Sequence, residues 1–283
     1  MGRHRALFVH NDRMQRIRLV CIDVDGTVSD RFREPTVAGA AGALAAIRER
    51  FELRLVTNAT SVSHAKLAGM LASQGLITDA AELVTPATAA RSLLTERGHL
   101  SGLLLADEAA RDDFAWFRED PSGEAVLLAS ESHSLRIADL QPAFRLLLDG
   151  AALYTLQRNR YFRRRDELVT DLGPVAAFLS YASGREMVTL GKPSAELFES
   201  LARAAGCGLE QTVMVGDDGE FDVSGSIALG MSGVLVRTGK YRDGDERRFP
   251  HPPTAVLDSV ADLPGWLGLR GAPLPGSAIG SRP

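Results

Sequence analysis

Arg18-Leu19-Val20-Cys21-Ile22-Asp23-Val24-Asp25-Gly26-Thr27 is the stretch that decides the fold class of this chain. Arg18 to Ile22 is short, apolar and rich in β-branched residues, which predicts a buried strand. The strand runs into two carboxylates two positions apart, followed by a glycine and a hydroxyl. Side chains i and i+2 of a strand share a face, so Asp23 and Asp25 can both point into one crevice. Gly26 lets the chain turn away sharply, and the Thr27 hydroxyl can brace that turn. By composition, DxDG followed by Ser or Thr arises by chance in on the order of one chain in a hundred. A strand directly before it lowers that figure.

Outward from this point the same grammar repeats. Thr36 to Arg50 is Ala-rich and helical in pattern, and Leu53 to Val56 is a second short strand ending at Thr57-Asn58. A helix over about Ser61 to Ser73 follows, with Ser61 as N-cap and Gly75 as stop. Thr85 caps a further helix that carries Pro86 at its first position and stops near Gly98. Leu103 to Leu105, Val126 to Leu128 and Leu153 to Leu156 read as strands, and Asp171 to Ser183 as a helix. Val188 to Leu190 leads into Gly191-Lys192-Pro193-Ser194. Val213 to Val215 leads into Gly216-Asp217-Asp218, each with a helix behind, and Val234 to Val236 is a last strand. The Gly-, Pro- and Ser-rich tail from about Gly271 is expected to fray, and no internal repeat is evident.

Strands alternating with helices predict a doubly wound α/β fold with a mainly parallel sheet. Ligands of such sheets bind beyond the carboxyl ends of the strands. Four polar motifs occupy that position, Asp23–Thr27, Thr57-Asn58, Gly191–Ser194 and Gly216–Asp222. They are expected to meet at one edge of one sheet.

Composition narrows the remaining classes. The chain has 283 residues, 45% of them hydrophobic and 24% charged, with a net charge of −4. That is enough apolar material for a sizeable core and fits one large domain or two. Nothing in the charge balance suggests a nucleic-acid surface, and no apolar run reaches the roughly 18 residues of a membrane helix. The basic N-terminus reads as a short extension rather than a signal peptide. Cys21 and Cys207 do not make a disulfide framework, which fits a cytoplasmic location. The six histidines have no ligand spacing for zinc.

The residues at the strand ends suit phosphoryl transfer. An ionised Asp23 can attack phosphorus in line. Asp25 can protonate the leaving oxygen and then deprotonate a water. A carboxylate approaching a phosphate dianion needs cations, and a hard divalent ion, magnesium for choice, suits carboxylate ligands. Asp23 and Asp217 are the side-chain ligands, with the Asp25 backbone carbonyl as a third. Thr57 can donate to a phosphoryl oxygen, and Asp222 can orient Lys192 or a metal-bound water. Lys192 stands out because only three of 32 basic residues are lysines, Lys66, Lys192 and Lys240. A lysine in this arginine-rich chain suggests a need for a compact ammonium. Taken one at a time, Thr57-Asn58 also reads as a helix start and Asp218 as a helix N-terminal acid. Three classes stay open on the residues: a small-molecule phosphatase, a phosphotransferase or mutase, and a non-catalytic partner-binding protein.

In order and content these motifs resemble those of the haloacid dehalogenase superfamily. Asp23–Thr27 is similar to its first motif, Thr57 to the second, Lys192 in GKPS to the third, and Asp217 with Asp222 in GDDGEFD to the fourth. RNRYFRR (158–164), GKPSAELF (191–198), MVGDDGEFDVSG (214–225) and VRTGKYR (236–242) are similar to the phospholysine phosphohistidine inorganic pyrophosphate phosphatase branch of subclass IIA. The resemblance implies a Rossmann-like core over 1–88 and 186–283, with an inserted α/β cap of C2 type over 89–185. It also implies that Thr57, Asn58 and Lys192 touch substrate phosphate and that Asp23, Asp25 and Asp217 hold Mg2+; Thr27, Asp218 and Asp222 are read beside them as supporting residues. A cap that limits access implies a small phosphorylated substrate, and relatives suggest a homodimer through the cap. Within the cap, Arg158, Arg160, Arg163, Arg164 and Arg165 read as a solvated strand–turn face in preference to a basic lip for substrate.

Overall fold

The computed structural model describes residues 16–30, 33–60, 62–106, 108–129, 135–164 and 167–269. The basic N-terminal stretch up to residue 15, Ser61, Arg165 and the tail from Gly271 lie outside the described residues, as do the side chains of Arg163 and Arg164. Two compact units account for the described chain. One gathers residues from 1–56, 69–83 and 198–283, and the other those from 57–68 and 84–197.

The first unit is built on a six-stranded sheet in the order Ala255–Leu257, Ser232–Val236, Thr212–Gly216, Leu19–Asp23, Glu52–Val56, Leu83–Val84. The pairings from Ala255–Leu257 through to Glu52–Val56 are all parallel. A parallel strand in the middle of such a sheet is covered on both faces and reads as a continuous apolar run. Leu19, Val20, Cys21 and Ile22 follow that rule and are completely buried. Full burial of a residue such as Leu19 or Ile22 contributes about 1.5–3 kcal/mol. The chain winds from Leu19–Asp23 towards Glu52–Val56, and later strands build outward on the other side. The order therefore reverses between Leu19–Asp23 and Thr212–Gly216, and a ligand crevice is expected at that reversal.

Register then sets which side chains reach the crevice. Ile22 pairs with Val215, so Asp23 lies level with Gly216, one residue short of Asp217. On its other side Asp23 pairs with Val56, one residue short of Thr57. The helix expected from Thr36 begins only at Ala40 and runs to Arg48, because Arg33–Thr36 pairs antiparallel with Ser29–Asp30. Strand Ala255–Leu257 was not foreseen.

The second unit holds a five-stranded sheet in the order Met187–Thr189, Ala152–Thr155, Ala125–Leu128, Ser101–Leu105, Arg118–Glu119, with parallel neighbours throughout. Helix Pro86–Arg97 starts as expected: Thr88 N–H donates to Thr85 Oγ1 at 3.3 Å and Thr85 N–H to Thr88 Oγ1 at 3.0 Å. Asp171 caps helix Leu172–Ser183 through the Leu172 N–H at 2.7 Å. Tyr161–Arg164 and Glu167–Thr170 form an antiparallel hairpin, and the side chains of Arg158 and Arg160 ahead of it are exposed.

One expectation is corrected. The four motifs do not all leave the same sheet. Met187–Thr189, the strand before Gly191–Ser194, pairs with Leu153–Thr155 of the five-stranded sheet. A strand of three residues carries no sequence signal of which sheet it will join; the pairing is decided by its partner's free edge. No helix among the described residues is long and apolar enough to cross a membrane.

Candidate active site

Asp23 closes its strand, and the chain turns at once. Thr27, Val28 and Ser29 N–H groups all converge on the Val24 carbonyl at 3.1–3.3 Å. Gly26 sits at φ +88 within this turn, and its N–H donates to Ser29 O at 2.8 Å. The turn corrects one detail: Asp25 lies past the strand, in a bridge with Ser29, so turn geometry and not strand alternation places it. Asp25 is half-buried, whereas Asp23 is 7% exposed.

Asp217 follows strand Thr212–Gly216 and is almost completely buried, as is Asp222. One carboxylate oxygen from each of Asp23, Asp217 and Asp222 lies within 4.8 Å of the others. Thr27 Oγ1 is 3.2 Å from Asp23 Oδ2 and 3.5 Å from Asp217 Oδ1, so its one proton can go to either carboxylate. Asp222 Oδ2 accepts the Asp218 N–H at 3.3 Å. Asp218 itself caps the following helix turn, accepting the Glu220 and Phe221 N–H groups at 3.0 Å each. It thus supports the loop as a helix N-terminal acid.

Three buried carboxylates this close repel one another. Burial first, and then the charge of Asp23, pushes the Asp217 carboxyl up to about 7, although the Lys240 N–H works against the shift. Such a donor set fits a hard divalent cation, which takes oxygen ligands and relieves the repulsion. Asp222 presents an oxygen to the same cluster.

Two glycines make this crowding sterically possible. A Cβ on Gly216 would lie 2.2 Å from Asp222 Oδ2, and one on Gly26 would lie 2.3 Å from Asp217 Oδ2. Local pattern carried a signal only for Gly26, as a turn residue.

In the second unit, Thr57 and Lys192 are also buried. Thr57 Oγ1 accepts the Ala59 N–H at 3.1 Å, which uses a lone pair and not the hydroxyl proton. The Asn58 amide is engaged at both ends with the Lys192 backbone: Nδ2 donates to Lys192 O at 2.9 Å, and Lys192 N–H donates to Oδ1 at 2.7 Å. Gly191 must be glycine for this, since its Cβ would meet Asn58 Oδ1 at 2.6 Å and Leu156 O at 2.5 Å. Ser194 Oγ accepts the Leu197 N–H at 3.2 Å and caps helix Ala195–Ala204. Asn58 therefore joins the second and third motifs by its side chain, a role the sequence did not suggest. Asn58→Ala is expected to destabilise the protein by about 1–2 kcal/mol, because it leaves two Lys192 backbone groups without these partners. Urea unfolding checks this, and an unchanged midpoint would mean the clamp is absent in solution.

Comparison with known proteins identifies the family. The family described as haloacid dehalogenase-like hydrolase matches residues 20–115, and a second, HAD-hydrolase-like, matches residues 189–263. Human haloacid dehalogenase-like hydrolase domain-containing protein 2 is 38% identical over 245 residues, covering 86% of this chain and 93% of that protein. The chain belongs to the haloacid dehalogenase superfamily, subclass IIA. Within it, human phospholysine phosphohistidine inorganic pyrophosphate phosphatase is 33% identical over 255 residues, covering 88% of this chain and 92% of that enzyme. Among solved folds, glycerol phosphate phosphatase from Mycobacterium tuberculosis, in complex with magnesium, superposes with a TM-score of 0.71 at 24% identity, over 90% of this chain and 77% of that one. The doubly wound α/β core expected from the strand pattern is thus the fold of this superfamily, and the chain is a phosphatase-type hydrolase.

Proposed function

We propose that the protein is a magnesium-dependent phosphatase of small phosphorylated molecules, working through a phosphorylated Asp23. The observation that carries this reading is the buried cluster of Asp23, Asp217 and Asp222 oxygens at the sheet's reversal point. A cation held by Asp23, Asp217, the Asp25 carbonyl and Asp222 supplies charge neutralisation for a dianionic substrate.

The chain's own groups then divide the work. An Asp23 carboxylate oxygen attacks phosphorus, and the bond to the leaving oxygen breaks as Asp25 gives that oxygen its proton. Asp25, now a carboxylate, takes a proton from water as the water attacks the aspartyl phosphate. Phosphate leaves and Asp23 is restored. Thr57 donates its hydroxyl proton to a phosphoryl oxygen, and the Lys192 ammonium neutralises charge on the phosphoryl group. Asn58 acts on Lys192 through the backbone clamp. The inserted cap, expected over 89–185, takes in the strand Met187–Thr189 of the five-stranded sheet as well, and its limit on access selects small substrates. The magnesium complex of the mycobacterial phosphatase and the phosphatase names of the relatives support this reading.

The test is a screen of the purified protein, with magnesium present, against roughly a hundred phosphorylated metabolites and a generic aryl phosphate. Phosphate release from the aryl phosphate and from a small set of metabolites is expected. No release from any of them would overturn the assignment.

A further inference from the structure

The segment VRTGKYR (236–242) resembles its counterparts in relatives, yet the mechanism above gives it no task. It leaves the carboxyl end of Ser232–Val236, the strand beside Thr212–Gly216. We propose that its turn Thr238-Gly239-Lys240 is a positioning element that holds the Asp217 carboxylate in its cation-binding orientation. The inference rests on the reading of Asp217 as a metal carboxylate.

Three contacts carry it. The Lys240 backbone N–H donates to Asp217 Oδ2 at 2.6 Å, the short bond expected of an amide to a carboxylate. Thr238 Oγ1 donates to Gly26 O at 2.6 Å, tying the turn to the loop that follows Asp23 across 212 residues of sequence. Between these bonds, Gly239 and Gly26 face each other with no side chain on either. A Cβ on Gly239 would lie 2.0 Å from Asp217 Oδ2 and 2.6 Å from Gly26 Cα, and one on Gly26 would lie 2.9 Å from Gly239 Cα. Both glycines also hold positive φ, +54 and +88.

The Asp217 carboxylate is therefore seated in a slot between two glycines and pinned at Oδ2. Its other oxygen, Oδ1, lies beside Thr27 Oγ1. A carboxylate fixed at one oxygen loses little rotational freedom when the cation arrives, and that is how groups outside the ligand set tune metal affinity. The Lys240 side chain adds an exposed contact of 3.4 Å to Asp218, but the pin itself is backbone and needs no particular side chain.

The experiment measures Mg2+ binding by calorimetry on the full-length protein, next to turnover as a function of Mg2+. Thr238→Val and Gly239→Ala are expected to weaken Mg2+ binding by about tenfold to a hundredfold, with kcat largely recovered at saturating Mg2+. Thr238→Ser, which keeps the hydroxyl, is expected to bind within about twofold of the parent protein. A Gly239→Ala protein that fails to fold by circular dichroism leaves the Val and Ser variants at 238 to decide. Asp217→Asn is the control. If it loses Mg2+ binding while Thr238→Val and Gly239→Ala bind normally, the positioning role is wrong. If Asp217→Asn itself binds Mg2+ normally, the metal reading of Asp217 fails and the turn's role falls with it.

Discussion

Asp23→Asn is expected to abolish phosphate release, lowering kcat/KM by at least about a thousandfold while leaving the protein folded. The loss follows from chemistry. An amide oxygen does not displace an alkoxide from phosphorus. Retention of the fold follows from packing. Asn and Asp have nearly the same shape, and the neighbouring Thr27 hydroxyl can bond either. Without a cation, the substitution even removes a repulsion, since the Asp23 charge is one of the causes that push the Asp217 carboxyl up. The metal-free variant should therefore melt at or above the temperature of the metal-free parent at pH 8. Phosphate release and a thermal melt on the same preparation check both halves. Full turnover in Asp23→Asn would dismiss the aspartyl-phosphate mechanism, and a collapsed melt would mean the loss of activity says nothing about chemistry.

The part of this site that can be read in the sequence is the part written in local pattern. Arg18 to Ile22 announces a strand by its apolar, β-branched run, and Thr85-Pro86 announces a helix by its cap. Asp23, Thr57 and Asp217 then fall at strand ends by simple counting. Contacts between segments far apart in sequence leave no such trace. Gly216 and Gly239 look like ordinary loop glycines, and only the approach of Asp222 Oδ2 and Asp217 Oδ2 explains why a Cβ is excluded. Asn58 reads as a helix-start residue because its two bonds to Lys192 span 134 positions. Among the strands that escaped notice, Leu83–Val84, Arg118–Glu119 and Ala255–Leu257 have two or three residues each, too few to display a period. The strand expected over Val188 to Leu190 forms over Met187–Thr189 but joins the other sheet for the same reason, since so short a run encodes its own extension and not its neighbour.

Magnesium should stabilise this protein strongly at pH 8 and weakly at pH 5, and its removal by a chelator should stop turnover until magnesium is restored. Asp217 sets the sign. Its carboxyl is raised from 3.8 to about 7 in the folded protein, by burial and by Asp23. A carboxyl raised on folding favours the folded state most when it is protonated. In the metal-free protein that contribution is whole below about pH 4 and is lost as pH rises through 7. A cation reverses the balance by binding the carboxylate form, so protons and Mg2+ compete for the same oxygens. One competing proton weakens Mg2+ binding by about a hundredfold between pH 8 and pH 5. Because stabilisation by a ligand grows with the logarithm of its concentration over its dissociation constant, the Mg2+-induced rise in melting temperature should shrink in step. Melts with and without Mg2+ at pH 5, 6, 7 and 8 measure this directly. An equal rise at pH 5 and pH 8 would mean that the Asp217 carboxyl is not where the cation sits.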